Sequence, residues 1–250
     1  MVKNRAFRIA PPPEKIALPK GSRGFTLAEV LITIGIIGVV AAMTIPTLTA
    51  NYQKKVLESQ FKKGYSTLAN IHIKLQNDYE NVYNSFINQP YSDANRLEFL
   101  KIYSTYLNGA QIKKYSTTEY KTLQGIKQIN IAPDCYREYG IYTNDGMLIF
   151  FGNNYRKDRI YIDINGNHKP NKLGYDLFSF DINKDDKLIP PPPSYSYAAV
   201  DENGKPIAIN TNDCNLDKED NKYNGFGCAA YALSNKCPDN SNREYWKCLP

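Results

Sequence analysis

The sequence predicts an α+β protein in which a long N-terminal helix packs its second half on a small antiparallel β-sheet head. Glu29 is the single charged residue in the apolar stretch 24–53. Apolar and aromatic residues then recur at helical spacing from Phe61 to Tyr79, and short β-type segments separated by turn residues begin near residue 139. These three patterns predict a membrane-length helix, its amphipathic continuation and a sheet.

The apolar segment is long enough to cross a lipid bilayer. It runs 21 residues from Phe25 to Ile45, which is about 31 Å of α-helix. A carboxylate such as Glu29 costs about 2.5–3.5 kcal/mol at mid-membrane on insertion scales, so an acid in such a segment indicates function. Small residues recur at helical spacing and favour close packing of a second helix, although glycine is also common in membrane helices generally: Gly35, Gly38 and Ala42.

The first 24 residues form a basic leader. They contain six Lys or Arg and one Glu, a net +5 of the whole-chain +6, which leaves the rest of the chain near +1. This asymmetry predicts a cytoplasmic N-terminus and a head on the far side of the membrane. Four lysines after the apolar segment slightly oppose this bias: Lys54, Lys55, Lys62 and Lys63. The near-neutral remainder argues against a strong nucleic-acid-binding surface, despite twenty tyrosines suited to base stacking.

The junction between leader and helix resembles the N-terminus of type IV prepilins and type II secretion pseudopilins. Basic residues (Lys20 and Arg23) precede Gly24, and Phe25-Thr-Leu-Ala-Glu29 opens the apolar helix. The resemblance implies that prepilin peptidase cuts after Gly24 and methylates the new amino terminus of Phe25. It also implies an assembly role for Glu29, whose carboxylate would pair with the Phe25 amine of a neighbouring subunit.

The resemblance implies a structural subunit of a fibre, assembled from the bacterial inner membrane. Its implied partners, besides the peptidase, are other pilin or pseudopilin subunits, the inner-membrane assembly platform and the lipid bilayer. The favoured prediction is a type II secretion pseudopilin. The alternatives are a type IV pilin for adhesion, motility or DNA uptake, and a membrane-tethered binding or enzymatic domain with a prepilin-like anchor. An ordinary signal peptide is disfavoured, because its apolar region is shorter than this one and lacks an acid.

Beyond Pro46, which is expected to disturb the helix, the helical period continues as an amphipathic stripe. Its members are Phe61, Tyr65, Leu68, His72, Leu75 and Tyr79. His72 is therefore interpreted as a packed core residue, whereas His168 falls in a loop without an obvious catalytic partner. A short helix is predicted over Asp93–Leu107.

Four segments after residue 139 have strand character: 140–143, 147–151, 159–164 and 177–182. Asn144-Asp145-Gly146 predicts a hairpin between the first two, and Asn165-Gly166 a turn after the third. The expected organisation is a leader at 1–24, a long helix at 25–88 with its membrane part at 25–48, an α+β head at 89–189, and a proline linker with a Cys-rich extension at 190–250.

The extension contains four of the five cysteines: Cys214, Cys228, Cys237 and Cys248. Cysteines that all follow the membrane segment predict disulfides in an oxidising compartment, with connectivity left open. A zinc site is disfavoured because the paired C-x-x-C spacing is absent. The remaining Cys135 is either free or a tie between head and extension.

One loop concentrates hard oxygen ligands suited to calcium: Asp163, Asn165, Asn167 and Asp176. It is not an EF-hand, since its twelfth position is Gly174, and the alternative is that Asp, Asn and Gly simply form turns. Calcium in a head loop is also what the resemblance to pseudopilins implies. Beyond calcium no cofactor is expected, and no catalytic motif is present, so the chain is predicted not to be an enzyme.

Overall fold

The structure is a computed structural model of the 250-residue chain. It describes residues 24–90, 92–114, 119–125, 128–129, 139–152, 158–191, 194–200, 206–212, 214–217 and 223–249. The predicted leader, apart from Gly24, and Cys135 lie outside the described residues. The predicted α+β class is confirmed: a long apolar N-terminal helix precedes a six-stranded antiparallel sheet.

The helical elements are α1 (Leu27–Asp78), a π-helix (Tyr83–Ile87), α2 (Asp93–Thr105), a 3₁₀ turn (Phe226–Cys228), α3 (Ala229–Ser234) and α4 (Tyr245–Cys248). The strands are β1 (Gln111–Lys114), β2 (Tyr120–Lys121), β3 (Gln128–Ile129), β4 (Tyr139–Tyr142), β5 (Leu148–Phe151), β6 (Arg159–Asp163), β7 (Leu177–Ile182), β8 (Leu188–Ile189), β9 (Ser194–Val200) and β10 (Pro206–Asn212).

The chain divides into two compact units after Leu48. In the first unit the large apolar side chains of α1 are exposed, from Leu27 through Leu48. Among the described helices, only α1 is long and apolar enough to cross a membrane. Pro46 lies inside α1 and does not end it, because proline removes one backbone hydrogen bond while the turns on either side keep theirs.

In the second unit the sheet has the order β1-β4-β5-β6-β7-β8, with every neighbouring pair antiparallel. All four predicted strands are present within one residue of their expected limits. The β4–β5 hairpin turns at Asn144-Asp145-Gly146, as the sequence predicts. Strands β9 and β10 form a separate hairpin, and β2 pairs with β3.

The stripe on the second half of α1 packs against the sheet. Phe61 and Leu68 are essentially fully buried, and the Phe61 ring centroid lies 4.4 Å from that of Phe178 in β7. A Cβ at Gly64 would lie 2.8 Å from Ile162 Cδ1, so glycine permits this close approach of helix and strand. His72 is buried, which confirms its interpretation as a core residue.

The Cys-rich segment contributes to the core of the head, which differs from its expected role as an appendage. The ring centroids of Trp246 and Phe61 are 5.7 Å apart, and the Tyr245 hydroxyl donates a hydrogen bond to the Gly174 carbonyl at 2.6 Å. The sequence obscured this because the apolar residues of the segment are few and pack on distant elements. Disulfides join Cys214 to Cys228 and Cys237 to Cys248.

Candidate processing and assembly site

The predicted processing residues precede the first helical turn. Gly24 and Phe25 lie outside α1, and the Phe25 side chain is 88% exposed. A Cβ on Gly24 would meet nothing within 4 Å in the described residues. The backbone around the predicted scissile bond is therefore not held by packing against the described part of the chain.

Thr26 and Glu29 close a reciprocal cap on the N-terminus of α1. The Glu29 carboxylate accepts hydrogen bonds from the Thr26 amide and the Thr26 hydroxyl, both at 2.8 Å. In return, the Glu29 amide donates to the Thr26 hydroxyl oxygen at 3.2 Å. This is a capping box, which satisfies backbone donors that would otherwise lack a partner in the first turn.

The sequence analysis explains Glu29 only through its assembly role and does not predict this cap. The signal was present, because Thr26-Leu-Ala-Glu29 follows the S/T-x-x-E pattern that precedes an apolar run. The cap gives the carboxylate an ordered position at the start of α1. Its ionised form has further lone pairs available for a cation.

The small residues of α1 are exposed in the first unit. A Cβ at either Gly35 or Gly38 would meet nothing within 4 Å, and Ala42 is also exposed. Together with the exposed aliphatic residues, they form a largely exposed apolar surface on the described part of this unit, which is suited to contact lipid or other helices.

The two acidic residues of the predicted calcium loop come together at the ends of neighbouring strands. Asp163 ends β6 and Asp176 precedes β7, and both are fully buried. Burial, and then the negative charge of Asp176, raise the pKa of Asp163 well above its usual range. Burial likewise raises the pKa of Asp176 to about 6, against the effect of backbone donors.

All four of these carboxylate oxygens accept hydrogen bonds from the protein. Asp163 accepts from the Tyr120 hydroxyl at 2.7 Å and from the Asn165 amide at 3.2 Å. Asp176 accepts from the Asn171 and Lys172 amides, both at 2.6 Å. These bonds show a structural role, in which the two acids organise the loop between β6 and β7.

The amide residues of the loop differ in placement. The Asn165 side-chain oxygen is buried without a hydrogen-bond donor, whereas Asn167 and His168 lie exposed on the turn. Among the described residues, no three His, Cys, Asp or Glu side chains cluster in a manner suited to a metal ion. The fit to calcium therefore rests on two carboxylates and one buried amide oxygen, with Asn167 at the surface.

A family model of the prokaryotic N-terminal methylation motif matches residues 19–45. Comparison of the chain with curated proteins and with solved structures gives no significant match. The matched residues include the predicted cleavage site, the Thr26–Glu29 cap and the whole apolar segment Phe25–Ile45. The motif points to a structural subunit processed by prepilin peptidase and assembled with other pilin-type subunits, and the apolar helix fits a single-pass inner-membrane anchor. The chain thus carries the prepilin-type cleavage and methylation motif of type IV pilins and pseudopilins, which supports a role as a pilus-type fibre subunit.

Proposed function

We propose that the mature chain is a structural subunit of a type II secretion pseudopilus or a closely similar fibre. The observation that carries the proposal is the coincidence of three features on one helix. The processing motif opens it, an exposed apolar surface follows, and its second half is part of the head core. Such a helix is suited to storage in a membrane and then to lateral packing with other subunits.

The chain would sit in the inner membrane as a single-pass protein with its leader in the cytoplasm. Prepilin peptidase would remove residues 1–24 there and methylate Phe25. The head would then lie outside the cytoplasm, where its two disulfides are stable. An inner-membrane platform would extract the helix from the bilayer into the growing fibre.

Glu29 would set the register between subunits. The cap on Thr26 holds the carboxylate at the start of α1, and methylation leaves the Phe25 amine cationic. In a fibre core of low dielectric, an amine of the next subunit would compensate the Glu29 charge. The same pairing would favour one axial position of neighbouring helices over others.

A type IV pilin is the second candidate, and it is favoured by the two disulfides that close the C-terminal part of the head. The two fibres are distinguished by genetics in the host. Loss of a pseudopilin blocks release of exported proteins, whereas loss of a pilin abolishes adhesion, motility or DNA uptake. A tethered binding domain predicts instead that Glu29 is dispensable.

The first experiment is intact mass measurement and N-terminal sequencing of the membrane-extracted protein, with and without the host's prepilin peptidase. We expect a chain that begins at N-methylated Phe25 and is absent without the peptidase. A Gly24→Val variant is expected to remain uncut, and an Ala28→Ser variant serves as the control for a change within the motif. An uncut wild-type chain, or one that begins beyond the apolar segment, contradicts the fibre proposal.

We further propose that the loop between β6 and β7 holds a calcium ion through Asp163, Asn165 and Asp176, with Asn167 at its surface. A divalent cation would offset the repulsion between two buried carboxylates and give the buried Asn165 oxygen a partner. The test is the thermal unfolding of the full mature chain with calcium or with a chelator. We expect calcium to raise the unfolding midpoint of the wild-type chain and not that of Asn165→Leu. A wild-type midpoint that calcium leaves unchanged contradicts this assignment.

A further inference from the structure

A cavity of about 790 Å³ lies beside the part of α1 that follows the apolar segment. One wall is formed by residues 50–60 of α1 and the other by the turns at 145–146 and 165–175. A Cβ at Gly166 would lie 2.5 Å from the Gly146 carbonyl oxygen, so the two turns abut closely at this wall. The volume falls in the range of pockets that hold small ligands.

The cavity is lined by three lysines from two separate parts of the chain: Lys54, Lys169 and Lys172. Asp145 is the single carboxylate in the lining, and it already forms an ion pair with Lys63 at 2.6 Å. The Lys54 Nζ atom donates a hydrogen bond to the Leu249 carbonyl oxygen at 2.7 Å. The Lys172 Nζ atom lies 4.8 Å from the centroid of the Tyr175 ring. The lining therefore carries a net positive charge.

The charges of Lys54 and Lys172 are partly withdrawn from water. Burial lowers the pKa of Lys54. Burial also lowers the pKa of Lys172, with further contributions from Lys121 and Lys54, while Asp176 acts in the opposite direction. Cations placed near one another in a partly desolvated cavity favour an anionic ligand, because such a ligand offsets their mutual repulsion.

The sequence places this cavity close to the membrane surface. Lys54 follows Leu48 by six residues, which span about 9 Å as helix. Tyr52, also in the lining, is 68% exposed, and Val56 and Leu57 add apolar surface beside it. Tyrosine and lysine next to a membrane span are typical of the lipid headgroup region, where lysine attracts anionic lipids.

We propose that this cavity binds the headgroup of an anionic phospholipid, with Lys54, Lys169 and Lys172 around the phosphodiester. Val56 and Leu57 contact the carbon atoms next to the phosphate. The site accounts for lysines on the far side of the membrane, where the topology rule disfavours them. It goes beyond the fibre proposal and rests on membrane insertion alone.

The test uses the full mature chain in nanodiscs made from equal amounts of phosphatidylglycerol and phosphatidylcholine. After gentle extraction, native mass spectrometry measures the ratio of the two lipids retained. We expect a preference for phosphatidylglycerol that falls about fivefold for Lys54→Gln and for Lys172→Gln, since a lysine near an anionic surface contributes about that factor. Asp145→Asn is expected to raise the preference, a gain that misfolding does not produce.

Lys55→Gln is the matched control. Lys55 is the exposed neighbour of Lys54 and is absent from the cavity lining, so the proposal predicts no change. If Lys55→Gln loses as much of the preference for phosphatidylglycerol as Lys54→Gln does, the attraction is general to the surface and the proposed site is wrong. Equal retention of the two lipids by the wild-type chain also contradicts the proposal. Displacement of the lipid by an equimolar amount of glycerol 3-phosphate shows that a soluble phosphate is the ligand and overturns the assignment to lipid.

Discussion

The carboxylate of Glu29 accepts two hydrogen bonds from Thr26, one from the amide and one from the hydroxyl, each at 2.8 Å. The acid that stands alone in the apolar segment thus has a partner within its own chain. An ionised carboxylate offers about four lone-pair sites, so the cap and a neighbouring amine are compatible. Capping and charge pairing are separable roles, which a suitable pair of variants distinguishes.

Glu29→Gln keeps an oxygen that accepts hydrogen bonds from Thr26 but removes the negative charge. We expect both Glu29→Gln and Glu29→Ala to be cut after Gly24 and to assemble poorly, because only the charge attracts a neighbour's amine. Thr26→Val, which loses the cap hydroxyl at a cost of about 1 kcal/mol to the helix, is expected to assemble. The measurement is the amount of subunit in sheared fibres, and normal assembly of Glu29→Gln contradicts charge pairing.

Phe61 joins α1 to both the sheet and the C-terminal segment. Its ring centroid lies 4.4 Å from that of Phe178 and 5.7 Å from that of Trp246. We expect Phe61→Ala to lower the free energy of unfolding of the head by about 3–5 kcal/mol, because it leaves a cavity in a packed core. Urea unfolding of the mature chain in neutral detergent, followed by fluorescence of its one tryptophan, measures this loss.

The matched control for Phe61 is Ile73→Ala on the same helix. Ile73 is 56% exposed, and exposed substitutions usually change stability by no more than about 0.5 kcal/mol. Equal losses in the two variants contradict the core assignment of Phe61.

Arg159 and Asp181 form a buried, two-pronged ion pair between β6 and β7. The Arg159 Nε and Nη2 atoms donate to the two Asp181 oxygens at 2.8 and 3.1 Å. Asp181→Ala is expected to destabilise the head by about 3–5 kcal/mol, because it removes the carboxylate that pairs with a buried guanidinium. The exposed pair of Lys62 with Glu58 is the control, and Lys62→Gln is expected to cost less than about 1 kcal/mol. The measurement is the free energy of unfolding of both variants in urea. A loss below 1 kcal/mol for Asp181→Ala contradicts the prediction.

His72 makes the head sensitive to acid. Burial lowers the pKa of its imidazole to about 4, while Asp186 acts in the opposite direction, and the Tyr103 ring packs against it. An unfolded histidine titrates near 6.5. Because the pKa of His72 is lower in the folded protein than in the unfolded chain, protonation of His72 favours unfolding. The free energy of unfolding therefore keeps its full value above pH 6.5 and falls as the pH drops from 6.5 towards 4, by about 2 kcal/mol at pH 5.

The measurement is the free energy of unfolding of wild type and of His72→Phe at pH 7 and at pH 5. Buried carboxylates also titrate in this range, but their contribution is common to both proteins and cancels when the two pH dependences are subtracted. We expect the variant to lose less stability than wild type on acidification. His168→Gln, at the exposed histidine, is the control and is expected to follow wild type. Identical pH dependence of wild type and His72→Phe contradicts the role of His72.

The disulfides close short loops of the C-terminal segment, with separations of 14 residues for Cys214–Cys228 and 11 for Cys237–Cys248. Loops of this size stabilise by about 3 kcal/mol in the chain-entropy model. We expect Cys237→Ala/Cys248→Ala to lower the unfolding midpoint in urea, because α4 carries Trp246 into the core. An unchanged midpoint shows that packing alone holds α4.

The strands and α2 were predictable because their signals are local. Alternation with flanking turns located β4 to β7, and the predicted helix over Asp93–Leu107 corresponds to α2 at Asp93–Thr105, capped by Ser92. Strands β9 and β10 lie in the segment 190–250, which the sequence analysis interprets as a proline linker and an extension. The Thr26–Glu29 cap is equally local, since its pattern lies entirely within four consecutive residues.

By itself, the sequence determined the apolar helix, the processing motif and the order of the main strands, because period, length and turn residues are properties of neighbouring positions. Only the tertiary structure decided which cysteines pair, that Trp246 belongs to the core with Phe61, and that Lys54 faces Lys172 across one cavity. The contact of Trp246 with Phe61 and the approach of Lys54 to Lys172 join residues over a hundred positions apart. They arise from the packing free energy of the whole head, which no local pattern contains.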